Sequence, residues 1–133
     1  MDNLTYVIAA VIFKADRVLI CQRPIHKRHG GLWEFPGGKL EAGETLLEAA
    51  RRELQEELSV QVVRVGQIYL ALHDPGSEFV IQFTDVEIEG IPAAVEHQEL
   101  AWINPRAILS YSLAPSDRKF AEYWLDGHLT PRD

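Results

Sequence analysis

The sequence carries one cysteine and no apolar run long enough to cross a bilayer. A lone Cys21 excludes an internal disulfide and a cysteine-rich zinc site, and it suits a reducing, cytoplasmic setting. The longest uninterrupted apolar stretch, Tyr6 to Phe13, falls well short of the ~20 residues that a spanning helix needs. Met1-Asp2-Asn3 bring no basic region ahead of it, so no secretory signal is expected. Basic residues are scarce as well: 13 Lys and Arg face 20 Asp and Glu, a formal charge of −7. That field disfavours a long nucleic-acid backbone as partner but admits a small phosphorylated ligand arriving with divalent cations. The five histidines (26, 29, 73, 97 and 128) form no HExxH and no helical i, i+4 pair, which argues against zinc. Gly-x-Ser-x-Gly and Walker A sequences are absent too, leaving a serine nucleophile or a P-loop without support.

What is present describes an ordinary globular chain. Its 133 residues, 47% hydrophobic and 25% charged, suit a single domain over 1–133 with its own core. Tyr6 to Phe13 is β-rich and nearly unbroken, the pattern of a central strand covered on both faces. Val18 to Cys21 reads as its hairpin partner across Lys14-Ala15-Asp16, and residues 23–31 as a basic, irregular loop. Leu47, Ala50, Leu54 and Leu58 then recur at helical spacing, predicting an amphipathic helix from Glu44 to Leu58. Two β segments, Val60 to Leu72 and Phe79 to Ile88, flank an Asp74-Pro75-Gly76-Ser77 turn. Leu100 to Ile103 is a short strand, Asn104-Pro105 caps a brief helix, and a last helix opens near Ser116-Asp117 and closes at Gly127. The order of elements predicts a mixed α/β domain with helices packed on a curved mixed sheet.

The chemistry concentrates between Gly37 and Val60. Glu53, Glu56 and Glu57 share one helical stripe, about opposite Leu47, Ala50 and Leu54, where like charges repel by a few tenths of a kcal/mol per pair. No Lys or Arg interleaves them; Arg51 and Arg52 both precede the cluster. A hard divalent cation such as magnesium resolves that conflict, taking oxygen ligands that it shares with substrate phosphates. A carbonyl exposed by the Gly37-Gly38 turn can supply a further ligand.

Gly38, five residues, Glu44, seven residues, then Arg52-Glu53-Leu54-Gln55-Glu56-Glu57-Leu58-Ser59-Val60 resembles the signature of the Nudix hydrolase family. The one departure is Ser59, where the family has a glycine that ends the helix. A serine with positive φ there costs about 1 kcal/mol or less and touches no ligand. The resemblance implies an α/β/α sandwich that hydrolyses a nucleoside diphosphate linked to a group X, using Mg²⁺ or Mn²⁺. Carried over by position, Gly37 (by its carbonyl), Glu53, Glu56 and Glu57 become metal ligands. Arg52 and Glu44 become the pair that holds the loop on the helix, with Glu44 near the attacking water. The metals neutralise the phosphates and lower that water's pKa, and a carboxylate takes the proton: Glu53 or Glu57, with Glu96 a third candidate.

Beyond this box, Gln22-Arg23-Pro24, Gly31 to Lys39, Glu96 to Trp102 and Leu113 to Asp117 resemble the MutT-like branch. That branch converts nucleoside triphosphates to the monophosphate and pyrophosphate, and includes enzymes acting on 8-oxo-dGTP, CTP and modified cytosine nucleotides. On this basis Arg23 and Lys39 are expected to contact phosphates, and Glu96 to add an acidic ligand or base from a loop. Asp117 is expected to reach the base edge; it reads equally well as a helix N-terminal acid. Phe35 either stacks on the base or belongs to the core, while Trp33 packs and Lys27 and Arg28 are loop charges. The implied enzyme is a cytoplasmic monomer or homodimer that sanitises the nucleotide pool of oxidised or modified nucleotides. Its alternatives are hydrolysis of another linked diphosphate, such as ADP-ribose or a dinucleoside polyphosphate, and a non-catalytic nucleotide sensor.

Overall fold

In the computed structural model, which describes residues 3–128, two helices cover opposite faces of one layer of strands. The apolar run becomes β1 (Thr5–Val11) and, after a break at Ile12, the short β2 (Phe13–Lys14). β1 is central. It pairs antiparallel with β5 (Gly37–Lys39) and parallel with β7 (Phe79–Glu89), and β6 (Gln61–Leu72) completes the order β5-β1-β7-β6. Around β3 (Arg17–Gln22) a second, antiparallel sheet joins β2, β4 (Trp33–Glu34) and β8 (Glu99–Ile103).

Alternation along two-sided strands builds both cores. Ile8, Ala10, Ile12, Leu19 and Cys21 face one side, where α1 (Leu46–Leu58) brings Ala49, Ala50, Leu54 and Leu58. Ala9, Val11, Val18 and Ile20 face the other, where α2 (Pro115–Tyr123) brings Phe120 and Ala121, followed by Trp124. The result is the expected α/β/α sandwich with mixed strand directions. Among the described residues no helix is long and apolar enough to cross a membrane.

Local chemistry sets where α1 begins and ends. Thr45 Oγ1 accepts from the Glu48 N–H at 3.1 Å while Glu48 Oε1 accepts from the Thr45 N–H at 2.9 Å, a capping box. The helix therefore starts at Leu46, and Glu44, expected inside it, stands before the cap with its carboxylate free for other work. Ser59 ends it in the left-handed region at φ +58°. The glutamate stripe borders the apolar face of α1; it does not oppose it. Glu57 is buried among Ala50, Leu54 and Leu58, and Glu56 is exposed.

The remaining elements follow their turn residues. Ser77 N–H donates to the Asp74 carbonyl at 3.0 Å in the β6–β7 turn. Asn104 Oδ1 accepts from the Arg106 N–H at 3.0 Å and starts the 3-10 helix Pro105–Ser110. α2 opens at Pro115, just ahead of the expected Ser116-Asp117, and Gly127 at φ +88° closes the turn after Trp124.

Candidate active site

Two glycines let β5 squeeze between β1 and α1. A Cβ at Gly37 would meet the Ile8 carbonyl oxygen at 1.9 Å, and one at Gly38 would meet the Glu53 carboxyl carbon at 2.3 Å. The space denied to a side chain at Gly38 is occupied by the Glu53 carboxylate. Glu57, only 5% exposed, accepts from the Gly37 N–H at 3.4 Å and shares a hydrogen bond with Glu53. Burial and the neighbouring Glu53 push the Glu57 carboxyl up to about 9. At neutral pH this pair retains a proton, the place of which a cation can take.

Arg52 organises the ridge. Its guanidinium donates to both oxygens of Glu44 (2.9 and 2.8 Å), to Glu53 Oε1 (2.7 Å) and to the Lys39 carbonyl (3.0 Å). Glu44 in turn accepts from the Glu41 N–H at 2.8 Å. The Arg52 hydrogen bonds, then the Glu41 N–H, hold the Glu44 carboxyl down at about 2. Loop, strand and helix are thus fastened around the Glu53 carboxylate.

The segment before β8 closes the opposite wall. Ala93 and Val95 donate their N–H groups to the carbonyls of Leu58 and Glu57 at 2.9 and 3.1 Å, and Gln98 N–H donates to the Gln22 carbonyl at 2.9 Å. These bonds bring Glu96 and His97 to a cavity of about 550 Å³, walled also by Arg23, Gly37, Glu53 and Glu57. His26 and Lys27 from the basic loop line its rim, although the sequence marked Lys27 only as a loop charge.

A second cavity, about 570 Å³, adjoins the first through Arg23. Val7, Leu72, Phe79 and Ile81 give it apolar walls, and Asp117, Arg28 and His29 polar ones. Asp117 Oδ1 accepts from the Phe35 N–H at 2.9 Å, and burial pushes the carboxyl up to about 7. Near neutrality it is therefore divided between accepting and donating forms. Phe35 is a correction to the expectation of base stacking. Its ring, 4% exposed, is packed edge-on against Phe83 and Phe120 and leaves no face for a ligand. Trp33 packs as expected, edge-on to Tyr111. Lys39 is exposed with its amino group 5.2 Å from the Phe79 ring centroid, at the margin of this cavity and outside both walls.

The acid-walled cavity suits a hard divalent ion. Its carboxylates are Glu53 and Glu57 on one wall and Glu96 on the other, with the Gly37 backbone beside them and the imidazoles of His26 and His97 also in the lining. Glu56, expected among the ligands, is exposed and outside the cavity wall. Among the described residues no three His, Cys, Asp or Glu side chains already converge as a set that could hold an ion.

Two residues of this site received no role from the sequence. Glu34 Oε1 accepts from Arg23 Nη1 at 3.1 Å, and Glu34 Oε2 lies 3.0 Å from His97 Nε2. Both belong to the outer motifs quoted above. The available signal was an acid directly before Phe35-Pro36-Gly37-Gly38 and a histidine directly after Glu96.

The family model for the NUDIX domain matches residues 3–124. The chain belongs to the Nudix family of hydrolases. Members of this family generally use a divalent metal and act on small nucleotides. The chain is 38% identical to the CTP pyrophosphohydrolase of Escherichia coli over 123 residues, covering 90% of each. It is 42% identical to the 8-oxo-dGTP diphosphatase of Proteus vulgaris over 86 residues, covering 62% of this chain and 77% of the relative. Among solved Nudix structures, the Escherichia coli ORF135 protein superposes with a TM-score of 0.77 at 35% identity, covering 92% of this chain and 89% of that one. A MutT structure from work on the Aliivibrio salmonicida and Vibrio cholerae proteins gives 0.79 at 30% identity, covering 92% and 97%.

Proposed function

We propose that this Nudix hydrolase is a Mg²⁺-dependent nucleoside triphosphate pyrophosphohydrolase, converting NTP and water to NMP and pyrophosphate, with oxidised or modified nucleotides such as 8-oxo-dGTP as substrates. The observation that carries the reading is the pair of adjoining cavities, one acid-walled and one apolar, that share Arg23. A triphosphate presents a polyanion to the first and a base to the second, with Arg23 offering its planar fork to a phosphate at the junction. The relatives named for CTP and 8-oxo-dGTP support the class of substrate.

Glu53, Glu57, Glu96 and the Gly37 carbonyl would hold the divalent ion, with Mn²⁺ an alternative to Mg²⁺. When bound, that ion neutralises phosphate charge and activates water. Arg52 and Glu44 fix the Glu53 carboxylate, and Glu53 or Glu57 takes the proton from the attacking water. Lys39, at the cavity margin, adds a point charge toward the phosphates. Asp117, poised between its two protonation forms, faces the base.

The second reading, a preference for CTP and related cytosine nucleotides, has a specific observation in its favour: the 38% identity to the CTP pyrophosphohydrolase extends over 90% of both chains. A comparison of kcat/KM for 8-oxo-dGTP, 5-substituted dCTPs, CTP and ADP-ribose with Mg²⁺, with product analysis, separates the readings. Pyrophosphate from a triphosphate supports the proposal; clear preference for ADP-ribose overturns it while leaving the family intact.

A further inference from the structure

We propose that Glu34 and His97 are positioning residues that hold Arg23 in register between the two cavities before any substrate arrives. The inference rests on the reading of Arg23 as the phosphate contact, and it assigns work to two residues to which that reading gives none.

Arg23 begins the basic loop at the end of β3, a position where a long side chain is ordinarily free to swing. Here it is fixed at two points. Its Nε donates to the Arg28 carbonyl at 2.7 Å and its Nη1 to Glu34 Oε1 at 3.1 Å. Two of five N–H donors are therefore engaged within the protein, which sets the plane of the guanidinium and leaves the others for a ligand. An arginine already held in this way loses less freedom on binding a phosphate than a mobile one does.

Glu34 is placed by the sheet and not by Arg23 alone. In the β3–β4 register its Cα faces Cys21, and Trp33 faces Gln22. With one oxygen on Arg23, it has its other 3.0 Å from His97 Nε2, and the His97 side chain is only 7% exposed. With Nε2 donating to Glu34, the buried Nδ1 has no hydrogen-bond partner; Glu34 is the hydrogen-bonded contact of this histidine, and Glu57 Oε1 stands farther from the same Nε2 at 3.9 Å. His97 is itself located by Gln98 N–H on the Gln22 carbonyl and by Val95 N–H on the Glu57 carbonyl. Three short segments, 22–23, 33–34 and 95–98, thus meet in one chain of contacts that starts on α1 and ends at Arg23. A competing design, in which Glu34 merely occupies Arg23 until a phosphate displaces it, predicts the opposite effect on affinity.

The test uses Glu34→Gln and His97→Gln in the full chain, each alone and combined with Arg23→Ala. Side-chain ¹⁵N NMR without metal or nucleotide reads the anchoring directly. The wild type is expected to show a protected Arg23 Nη1 signal, and both variants to lose that protection while the Nε bonded to the Arg28 carbonyl keeps its own. Steady-state kinetics on a triphosphate are expected to show KM raised about three- to tenfold with kcat within about twofold, and no further rise when Arg23 is already Ala. Unchanged Arg23 signals, effects that add to those of Arg23→Ala, or a lowered KM in Glu34→Gln overturn the proposal. If His97→Gln fails to fold, Glu34→Gln decides alone. Should the wild type turn over no triphosphate, the functional reading fails while the NMR result still decides whether Arg23 is held.

Discussion

Arg52 grips Glu44 through two parallel hydrogen bonds, Nε to Oε2 at 2.9 Å and Nη2 to Oε1 at 2.8 Å. The same guanidinium reaches Glu53 at 2.7 Å, so one side chain ties the loop before α1 to a candidate metal ligand. Lysine keeps the charge and loses the fork. Arg52→Lys is expected to lower kcat by about 10²-fold through misplacement of the Glu53 carboxylate, with less effect on KM. The clamp also sets an acid limit. A carboxyl held at about 2 contributes stability that is complete above its ordinary 4.5 and lost as pH falls between those values. In Glu44→Gln the thermal midpoint is therefore expected to lose that part of its acid dependence.

Glu57 and Asp117 act in the opposite sense. Both bind protons in the folded protein at pH values where the unfolded chain has released them. Stability without metal therefore falls as pH rises, from 3.8 to about 7 through Asp117 and from 4.5 to about 9 through Glu57. Thermal melts in EDTA across this range are expected to show the decline, Asp117→Asn to flatten its lower part and Glu57→Gln its upper part. Saturating Mg²⁺ is expected to oppose the upper part, since the ion takes the place of the proton.

Gly38→Ala separates catalysis from folding. Its Cβ would stand 2.3 Å from the carboxyl carbon of Glu53 and meet side-chain atoms there, not backbone, so Glu53 must swing away from Arg52 and Glu57 while the strand keeps its path. Activity is expected to fall by about 10-fold or more with little change in melting temperature. Gly37→Ala, facing the Ile8 carbonyl at 1.9 Å with φ at +152°, is expected to destabilise the fold instead. Circular dichroism melts beside initial rates distinguish the two.

Ser59 holds a left-handed conformation at φ +58° and touches no candidate ligand. Ser59→Gly is expected to stabilise the protein by about 0.5–1 kcal/mol, with unchanged kcat/KM. Denaturant titration measures the gain directly.

Local signals carried much of this architecture. Two-sided apolar strands, helical spacing and turn residues led to β1, β3, α1 and the β6–β7 hairpin, because each depends on neighbours in sequence. The strain at Ser59 was legible for the same reason. The Thr45–Glu48 capping box, which starts α1 past Glu44, also has a local signature in its spacing. Two features do not. Phe35 entered the core because α2 and β7 bring Phe120 and Phe83 to it from far along the chain. Glu34 and His97 lie 63 residues apart, and no periodicity relates them. Glu53 and Glu57 were evident as a crowded stripe, yet the burial of Glu57 follows only from where β5 and the segment 93–98 close over it.

On the proposed function, Glu53 and Glu57 are crowded because a divalent ion shared with a triphosphate compensates them. Mn²⁺ binding, followed by electron paramagnetic resonance with a non-hydrolysable nucleoside triphosphate present, tests it most directly. The expected result is an affinity at least about tenfold weaker in Glu53→Gln and Glu57→Gln, both still folded. Wild-type affinity in both variants would mean that these carboxylates do not hold the ion.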